Sequence, residues 1–405
     1  MSKVVIVGAS VGGVKAGQAL RNEGFDGQLI YVEAEKLERP YDKPPLSKAH
    51  LSTDQGVEAI PLLDEDSFRD LRAEWRFGVA ASGVEIDTKK LLLEDGSAVS
   101  YDTLVIATGA RARRSPWGED ANIHVLRTAD DATRLRKDLI PGSHLVVIGG
   151  GFIGAETAST AKKAGLRVSI VDPLPAPMSR VLNEEVGKIF FDKHASEGIE
   201  MFFECGVDSI EGIGRDDMKK SVVLSDGTVL EADAILVGIG AQVNTEWLEG
   251  SALHLDNGIV CDKSLRALSA EDIYVLGDVC RYQSAENETT RLEHWTSAAE
   301  QALVVAHNIV NPREPKEYIP KEYVWSDQFD WKIQVVGNTG AEKFQLVGEI
   351  TADKFAVIYS ADGSSVSGAV IVNWPRALVR ARQAVYSATS MAELVDSVGV
   401  ISSAK

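Results

Sequence analysis

Hydrophobic and polar positions follow two rhythms along the chain. Apolar runs ending in glycine or an acid recur at residues 3–8 (KVVIVG), 28–33 (QLIYVE), 103–110 (TLVIATGA), 167–172 (RVSIVD) and 273–279 (IYVLGDV). Such runs suit strands buried on both faces of a parallel sheet. Helical spacing fills the gaps at about 12–22, at 125–139 with Thr128 as cap, at about 183–197, and at 291–310. The last of these places apolar residues at 302, 303, 305, 306, 309 and 310. Residues 91–99 read as a hairpin about Asp95-Gly96. EMFFEC (200–205), SVVLSD (221–226, closing on Asp226-Gly227) and AILVGIGA (234–241) predict a β-meander and a return to the sheet. The rhythm changes after a Pro-, Lys- and Glu-rich stretch at 311–322. Residues 323–372 alternate with period two around turns at Asn338-Thr339-Gly340 and Asp362-Gly363, predicting an antiparallel sheet, and the tail from Pro375 reads as helical.

The most informative stretch is LVVIGGGFIGAE, residues 145–156, in which Gly149, Gly151 and Gly154 stand in G-x-G-x-x-G spacing between a strand and a helix. The first glycine allows the tight turn, the second lets backbone reach a pyrophosphate, and the third lets helix and strand pack closely. The helix N-terminus adds free N–H groups and a positive dipole end. Asp172 closes the next strand 23 residues after Gly149, where an acid can bind a ribose. The pattern occurs twice. In GASVGG, Gly8 and Gly13 take the outer positions, Ser10 replaces the middle glycine, and Glu33 follows 25 residues after Gly8. Two dinucleotide-binding units are therefore expected. RPYDKPPLSK, residues 39–48, has three prolines in ten residues and predicts a stiff extended segment, by composition a surface linker. Arg111, Arg113 and Arg114 likewise read as a solvated linker.

With 405 residues, 44% hydrophobic and 25% charged, the chain has material for two to three domains and a sizeable core. A net charge of −18 argues against a general binder of nucleic acid or anionic membrane. No apolar run approaches the length of a membrane span, and a first strand starting at Lys3 leaves no room for a signal peptide. A cytoplasmic location is expected. Cys205, Cys261 and Cys280 form no C-x-x-C, which predicts reduced, buried thiols and no metal site.

Taken together, GASVGG with Glu33, PYDKPPLSK, TLVIATGA, HVLRTADDA, VVIGGGFIGAE, YVLGDV, RLEHWTSAAEQA and WSDQFD resemble the FAD-dependent NAD(P)H:ferredoxin reductases of bacterial oxygenase systems. These are putidaredoxin reductase-like flavoproteins with two dinucleotide-binding domains. The resemblance runs nearly end to end. It implies an α/β fold of two Rossmann-like domains, for FAD and NAD, plus a C-terminal α+β domain. The divisions are 1–112 with 246–322 for FAD, 113–245 for NAD, and 323–405 for the last domain. It further implies that Gly8, Ser10, Gly12 and Gly13 line the FAD pyrophosphate and that Glu33 binds the adenosine ribose. Lys43 and Lys48 would lie near the flavin, and Ala81 and Arg127 near the nucleotide half of FAD. Asp278 would hold the ribityl chain and Trp295 would pack beside the ring. Gly149, Gly151, Phe152, Ile153, Gly154, Glu156, Asp172, Arg180 and Gly238 match the nicotinamide nucleotide side. Glu293 and Trp325 would approach its nicotinamide end. Trp325 has a second reading, as a core tryptophan of the last domain. Two departures stand out: Ser10 replaces a common glycine and Lys43 a common arginine, which loses bidentate geometry and is expected to lower FAD affinity.

By the same resemblance NADH delivers hydride to FAD, and electrons leave singly to a [2Fe–2S] ferredoxin serving an oxygenase. Lys48 and Glu156 are the candidate catalytic pair. Alone, Glu156 reads as an acid in the first turn of a helix and Lys48 as a surface lysine. Asp172, followed by Pro173, Leu174 and Pro175 with no cation, predicts NADH over NADPH. An NADH oxidase, peroxide or disulfide reductase on this scaffold would need a cysteine after the first unit, and residues 34–60 contain none. A sensor resembling apoptosis-inducing factor stays open, as does oligomeric state. Residues 331–405 carry seven Lys/Arg against six Asp/Glu, so the acidity lies elsewhere. Arg376 and Arg380, spaced i, i+4 beside Trp374, form the candidate face for an acidic ferredoxin.

Overall fold

The computed structural model describes residues 2–36, 38–214, 219–285, 288–387 and 389–399, in two compact units. The first comprises Met1–Asp42, Gln55–Arg111 and Gln242–Pro320; the second comprises Lys43–Asp54, Ala112–Ala241 and Lys321–Lys405. Residues 400–405 of the predicted tail lie outside the described residues.

In the first unit a parallel sheet runs Ile273–Val275, Thr103–Ile106, Lys3–Val7, Gln28–Glu33, Ala73–Phe77. Val4 to Val7 are all buried, as an uninterrupted apolar run requires when helices cover both faces. The helix Val11–Asn22 packs on Trp295–Val310, with Gly12 of the one facing Ala298 of the other. That second helix starts at Trp295, four residues later than its periodicity suggests, because His294 is extended. An antiparallel set, Ala81–Glu85, Lys90–Leu93 and Ala98–Ser100, sits between the third and fourth strands in chain order; its tight turn rests on Gly96 at φ +83°.

The second unit repeats this plan. Its parallel sheet runs Glu200–Phe203, Arg167–Asp172, His144–Ile148, Ala234–Val237, Ile123–His124. EMFFEC is therefore not part of the meander: residues 200–203 pair in parallel with Ser169–Asp172 as an edge strand. The meander is Val207–Glu211, Lys220–Leu224 and Val229–Ala232, and its first and last strands escaped the sequence reading because each is short and half polar. Thr128 caps the helix Ala129–Asp138 in a full capping box with Asp131. Asn183 caps Glu184–Ser196.

RPYDKPPLSK is not extended. Pro44–Ser47 and Ala49–Ser52 coil into consecutive 3₁₀ turns, because the φ that proline fixes also suits the first turn of a helix. The final part of the unit is an antiparallel sheet in the order Tyr323–Gln328, Trp331–Gly337, Gly368–Val372, Lys354–Ser360, Lys343–Glu349, followed by helices Pro375–Val385 and Met391–Gly399. Its inner strands are buried on both faces. Trp331, Phe355 and Tyr359 face Phe190 and Met178, while Ala356, Ile358 and Ile371 face Trp374, Ala377 and Leu394. No described helix is long and apolar enough to cross a membrane.

Candidate active site

The glycine loops show what each glycine does. Gly8 and Gly149 have φ of +104° and +112°, where an L side chain is strained. A methyl group on Gly8 would strike the Ala107 carbonyl, and one on Gly149 the Gly238 carbonyl. Each turn thus closes against the neighbouring strand at the point where strand order reverses. On Gly13 or Gly154 it would strike the carbonyl of Gly8 or Gly149, so these let the helix approach its own loop. Gly151 differs, because a methyl group there meets nothing within 4 Å. The space beside it is open. Ser10 has the same extended backbone (φ −84°, against −71° at Gly151), and its hydroxyl makes no capping bond. Gly12 admits Leu276 and Ala298, and a Cβ there would collide with Leu276.

Both acids are held alike. Glu33 accepts from the Ala9 N–H at 2.6 Å and the Glu35 N–H at 2.9 Å; Asp172 accepts from Gly150 at 2.6 Å and Leu174 at 2.8 Å. In each, one oxygen accepts from the glycine loop and the other from the backbone two residues on, so both carboxylates are fixed in place and keep spare lone pairs.

Elsewhere in the first unit, Asp278 lies in the turn Gly277–Val279, where its carbonyl accepts from Arg291 at 3.2 Å. Gly277 N–H donates to Gln301 Oε1 at 2.7 Å, while Gln301 Nε2 and Ser297 Oγ are buried without a partner. Trp295, half-buried, donates from Nε1 to Asp42 at 2.8 Å. Glu293 is exposed and paired with Arg291 at 2.6 Å. Ala81 opens the antiparallel set.

In the second unit Glu156 is 2% exposed, on the helix Phe152–Lys163. Burying a carboxylate costs several kcal/mol unless it is paired and hydrogen-bonded. Two chain segments supply the donors: Ser47 Oγ at 2.5 Å and Lys48 Nζ at 2.9 Å from one, and Ser326 Oγ at 2.7 Å and the Asp327 N–H at 3.4 Å from the other. Lys48 also donates to the Pro44 carbonyl at 3.2 Å, and its side chain keeps 16% exposure. The 3₁₀ turns are what bring Ser47 and Lys48 to the same carboxylate, with Thr160 Oγ1 anchoring the Ser47 carbonyl at 2.9 Å.

Lys43 precedes those turns, and the half-buried Arg127 caps through its N–H to Asp131 at 3.1 Å. Phe152 packs into the core beside Met178, whereas Ile153 is exposed. Trp325 is half-buried and stacked at 6.1 Å on Tyr323, whose ring carries Arg382 at 4.9 Å. Trp374 is 8% exposed, covered by the Lys354 ammonium at 5.4 Å; Arg376 beside it is exposed and Arg380 half-exposed. The three cysteines are free and buried.

The chain matches the family described as Pyridine nucleotide-disulphide oxidoreductase over residues 2–302, and Reductase C-terminal over 323–397. It belongs to the pyridine nucleotide-disulphide oxidoreductase family. Within that family it groups with the ferredoxin reductases. It is 35% identical to rhodocoxin reductase of Rhodococcus erythropolis over 384 residues, 94% of this chain and 88% of that one. A solved ferredoxin reductase for the CYP199A2 system of Rhodopseudomonas palustris superposes with a TM-score of 0.91 at 32% identity, covering 98% of each chain. The covalent putidaredoxin reductase–putidaredoxin complex superposes at 0.90 and 30%, covering 98% of this chain and 96% of that one.

For a member of this family, sequence reading missed two features. Arg113 is exposed, as a solvated linker predicts, yet it also lies beside a second arginine: a methyl group on Gly240 would meet Arg180 Nη1 at 3.7 Å and Arg113 Nε at 3.9 Å. Two guanidinium groups thus converge on the loop beside Gly238, and neither has a salt bridge among the described residues. The spacing of 67 residues gave no signal. Ser47 and Ser326 were also missed, although both lie inside motifs already singled out, PPLSK and WSDQFD.

Proposed function

We propose that the protein passes electrons from NADH through FAD to a [2Fe–2S] ferredoxin serving an oxygenase. The observation carrying this reading is the duplicated loop-and-acid constellation, one in each unit, together with the Lys48–Glu156 pair.

FAD fits the first unit. Ser10 offers an unused hydroxyl at the helix start, Glu33 offers a fixed acceptor, and Ser297 Oγ and Gln301 Nε2 are buried polar atoms awaiting a partner. Gly8, Ser10, Gly12, Gly13, Ala81, Asp278 and Trp295 of this unit would hold it, with Lys43, Lys48 and Arg127. NADH fits the second unit: the open space at Gly151 would admit the pyrophosphate, and Asp172 would accept from the ribose hydroxyls and repel a 2′-phosphate. Arg113 and Arg180 supply positive charge on the strand-end loop. Gly149, Phe152, Ile153, Gly154, Glu156, Gly238, Glu293 and Trp325 complete the assignment.

When bound, FAD supplies the exchange between a two-electron hydride donor and a one-electron acceptor. The protein's own residues position and polarise. Lys48 brings a fixed ammonium to stabilise developing negative charge, and Glu156 holds that ammonium in place. The helix Pro375–Val385 contains three arginines and no acid, with Val379 at 58% exposure, in a chain of net −18. Arg376 and Arg380 would receive an acidic ferredoxin, with buried Trp374 as their footing. The assignment of 1–112 with 246–322 to FAD and 113–245 to NAD, and a cytoplasmic location, belong to the same reading.

The test is anaerobic mixing with one equivalent of NADH, followed by a [2Fe–2S] ferredoxin. Fast loss of the oxidised-flavin band and rapid reoxidation by ferredoxin are expected, with kcat/KM higher for NADH than NADPH. Turnover confined to oxygen or peroxide would replace the reading with an oxidase. Slow reduction with a persistent charge-transfer band would replace it with a nucleotide sensor.

A further inference from the structure

The donors around Glu156 do not end at Ser326. Ser326 Oγ lies 3.0 Å from Gln328 Nε2, and Gln328 Oε1 lies 2.9 Å from His194 Nε2. Ser326, Gln328 and His194 are each exposed by 1% or less. Chemistry fixes the direction of every link. A carboxylate paired with an ammonium only accepts, so the Ser326 O–H points at Glu156. The serine lone pair then takes an N–H of Gln328, which also leans on Met178 Sδ at 3.5 Å. That amide orientation turns Oε1 toward His194, so His194 donates through Nε2 and leaves Nδ1 bare. Nδ1 has no hydrogen-bond partner, and the Phe329 ring packs edge-on at 5.3 Å. Burial pushes the His194 pKa down, which suits a neutral ring in this tautomer.

We infer that His194, Gln328 and Ser326 form a one-way hydrogen-bond chain that positions the Glu156 carboxylate against Lys48. Each donor is polarised by the one behind it, and the chain ends on a negative charge. It spans the helix Glu184–Ser196, the strand Tyr323–Gln328 and the helix Phe152–Lys163, so one carboxylate registers the seating of all three. The three are positioning residues. The inference goes deeper into the Lys48–Glu156 reading above, and rests on it only for its catalytic consequence.

The experiment measures how fast Lys48 is amidinated by methyl acetimidate, quantified by mass spectrometry, in the full-length protein without NADH. Ser326→Ala is expected to raise the rate about tenfold, the size of one charge-assisted hydrogen bond. Ser326→Thr keeps the hydroxyl and should restore the slow rate. His194→Phe is expected to raise it about threefold, and the double variant His194→Phe/Ser326→Ala no further than Ser326→Ala alone, since a cut link isolates what lies behind it. Unchanged labelling in Ser326→Ala, or additive effects in the double variant, overturns the chain. The flavin midpoint potential is read in parallel. If labelling follows the chain but Lys48→Gln leaves the potential unmoved, the chain stands and the catalytic role of Lys48 falls.

Discussion

The two parallel sheets share the order of four strands, the glycine turns, the acid that closes the strand after the loop helix and even the inserted antiparallel set, while the fifth strand comes last in the chain in one (Ile273–Val275) and first in the other (Ile123–His124); they differ most at one position of the helix that follows the loop. Aligning Ser10 with Gly151 places Lys15 opposite Glu156. Lys15 is half-exposed and satisfied locally by Gln18 at 3.0 Å. Glu156 is buried and tied to residues 108, 109 and 170 positions away. The covers differ as well. In the first unit the helix Trp295–Val310 lies on the loop helix, and Gly12 permits its approach. In the second the strand Tyr323–Gln328 covers it and delivers Ser326 and Asp327. One scaffold thus carries two different helix positions: a locally satisfied lysine in one unit and a buried charge pair in the other.

The largest effect should come from the turn glycines. Gly149→Ala combines a positive φ with a clash against the Gly238 carbonyl, and should cost about 3 kcal/mol or more in denaturant unfolding. Gly151→Ala should leave that stability within about 0.5 kcal/mol while weakening NADH binding at least tenfold. Equal stability losses in both variants would break the distinction between a glycine for folding and a glycine for ligand.

Next comes the acid. Asp172→Ser with Pro173→Arg removes the repulsion of a 2′-phosphate and adds a cation. The NADH/NADPH ratio of kcat/KM should fall by about 100-fold, or roughly 2.7 kcal/mol. Glu33→Gln should leave the ratio unchanged and instead loosen FAD, measured by cofactor release on dilution. A shift in nucleotide preference from the Glu33 variant would mean the two assignments are exchanged.

Acid should separate the units too. The buried histidines among the described residues, His50, His124, His144 and His194, all lie in the second. Burial pushes the pKa of His124, His144 and His194 down, partly offset at His124 by Asp138 and at His144 by the Glu231 carbonyl. A folded pKa below the free value of about 6.5 means stability that is present above that pH and lost as pH falls below it. Amide exchange in His144–Ile148 should therefore quicken before that in Lys3–Val7 as pH drops, by about tenfold. Equal protection in both strands would sink this prediction.

How much of this was legible in the sequence follows from contact range. The loops, the acids and the Thr128 capping box are local, so spacing alone exposes them. The Lys48–Glu156 pair became readable only through family resemblance, because proline content suggested an extended linker where 3₁₀ turns form. Ser326 and Gln328 sit in alternating strand positions that read as core. His194 lies 134 residues from its partner, and no periodicity encodes that distance. Arg113 was hidden by its neighbours: Arg111 is bound to Glu246 and Arg114 to Glu119, as a solvated linker predicts, while Arg113 alone of the three turns to Gly240. Arg113→Ala should raise the NADH Kd about fivefold, and less at high salt. An effect independent of salt would argue for packing instead.

The smallest change tests the comparison at its closest point. Ser10→Gly makes the first loop identical in pattern to the second. Ser10 already holds an extended φ of −84°, so glycine relieves no strain and adds unfolded-state freedom, costing a few tenths of a kcal/mol. The hydroxyl makes no capping bond in the protein itself, so its loss should appear only when FAD is bound. A two- to fivefold rise in the FAD Kd, about 0.5–1 kcal/mol, with apoprotein stability nearly unchanged, would show that serine supplies a phosphate donor glycine cannot. Tighter FAD binding in Ser10→Gly would show instead that the side chain crowds the pyrophosphate, and that the second loop, with open space at Gly151, is the better cradle of the two.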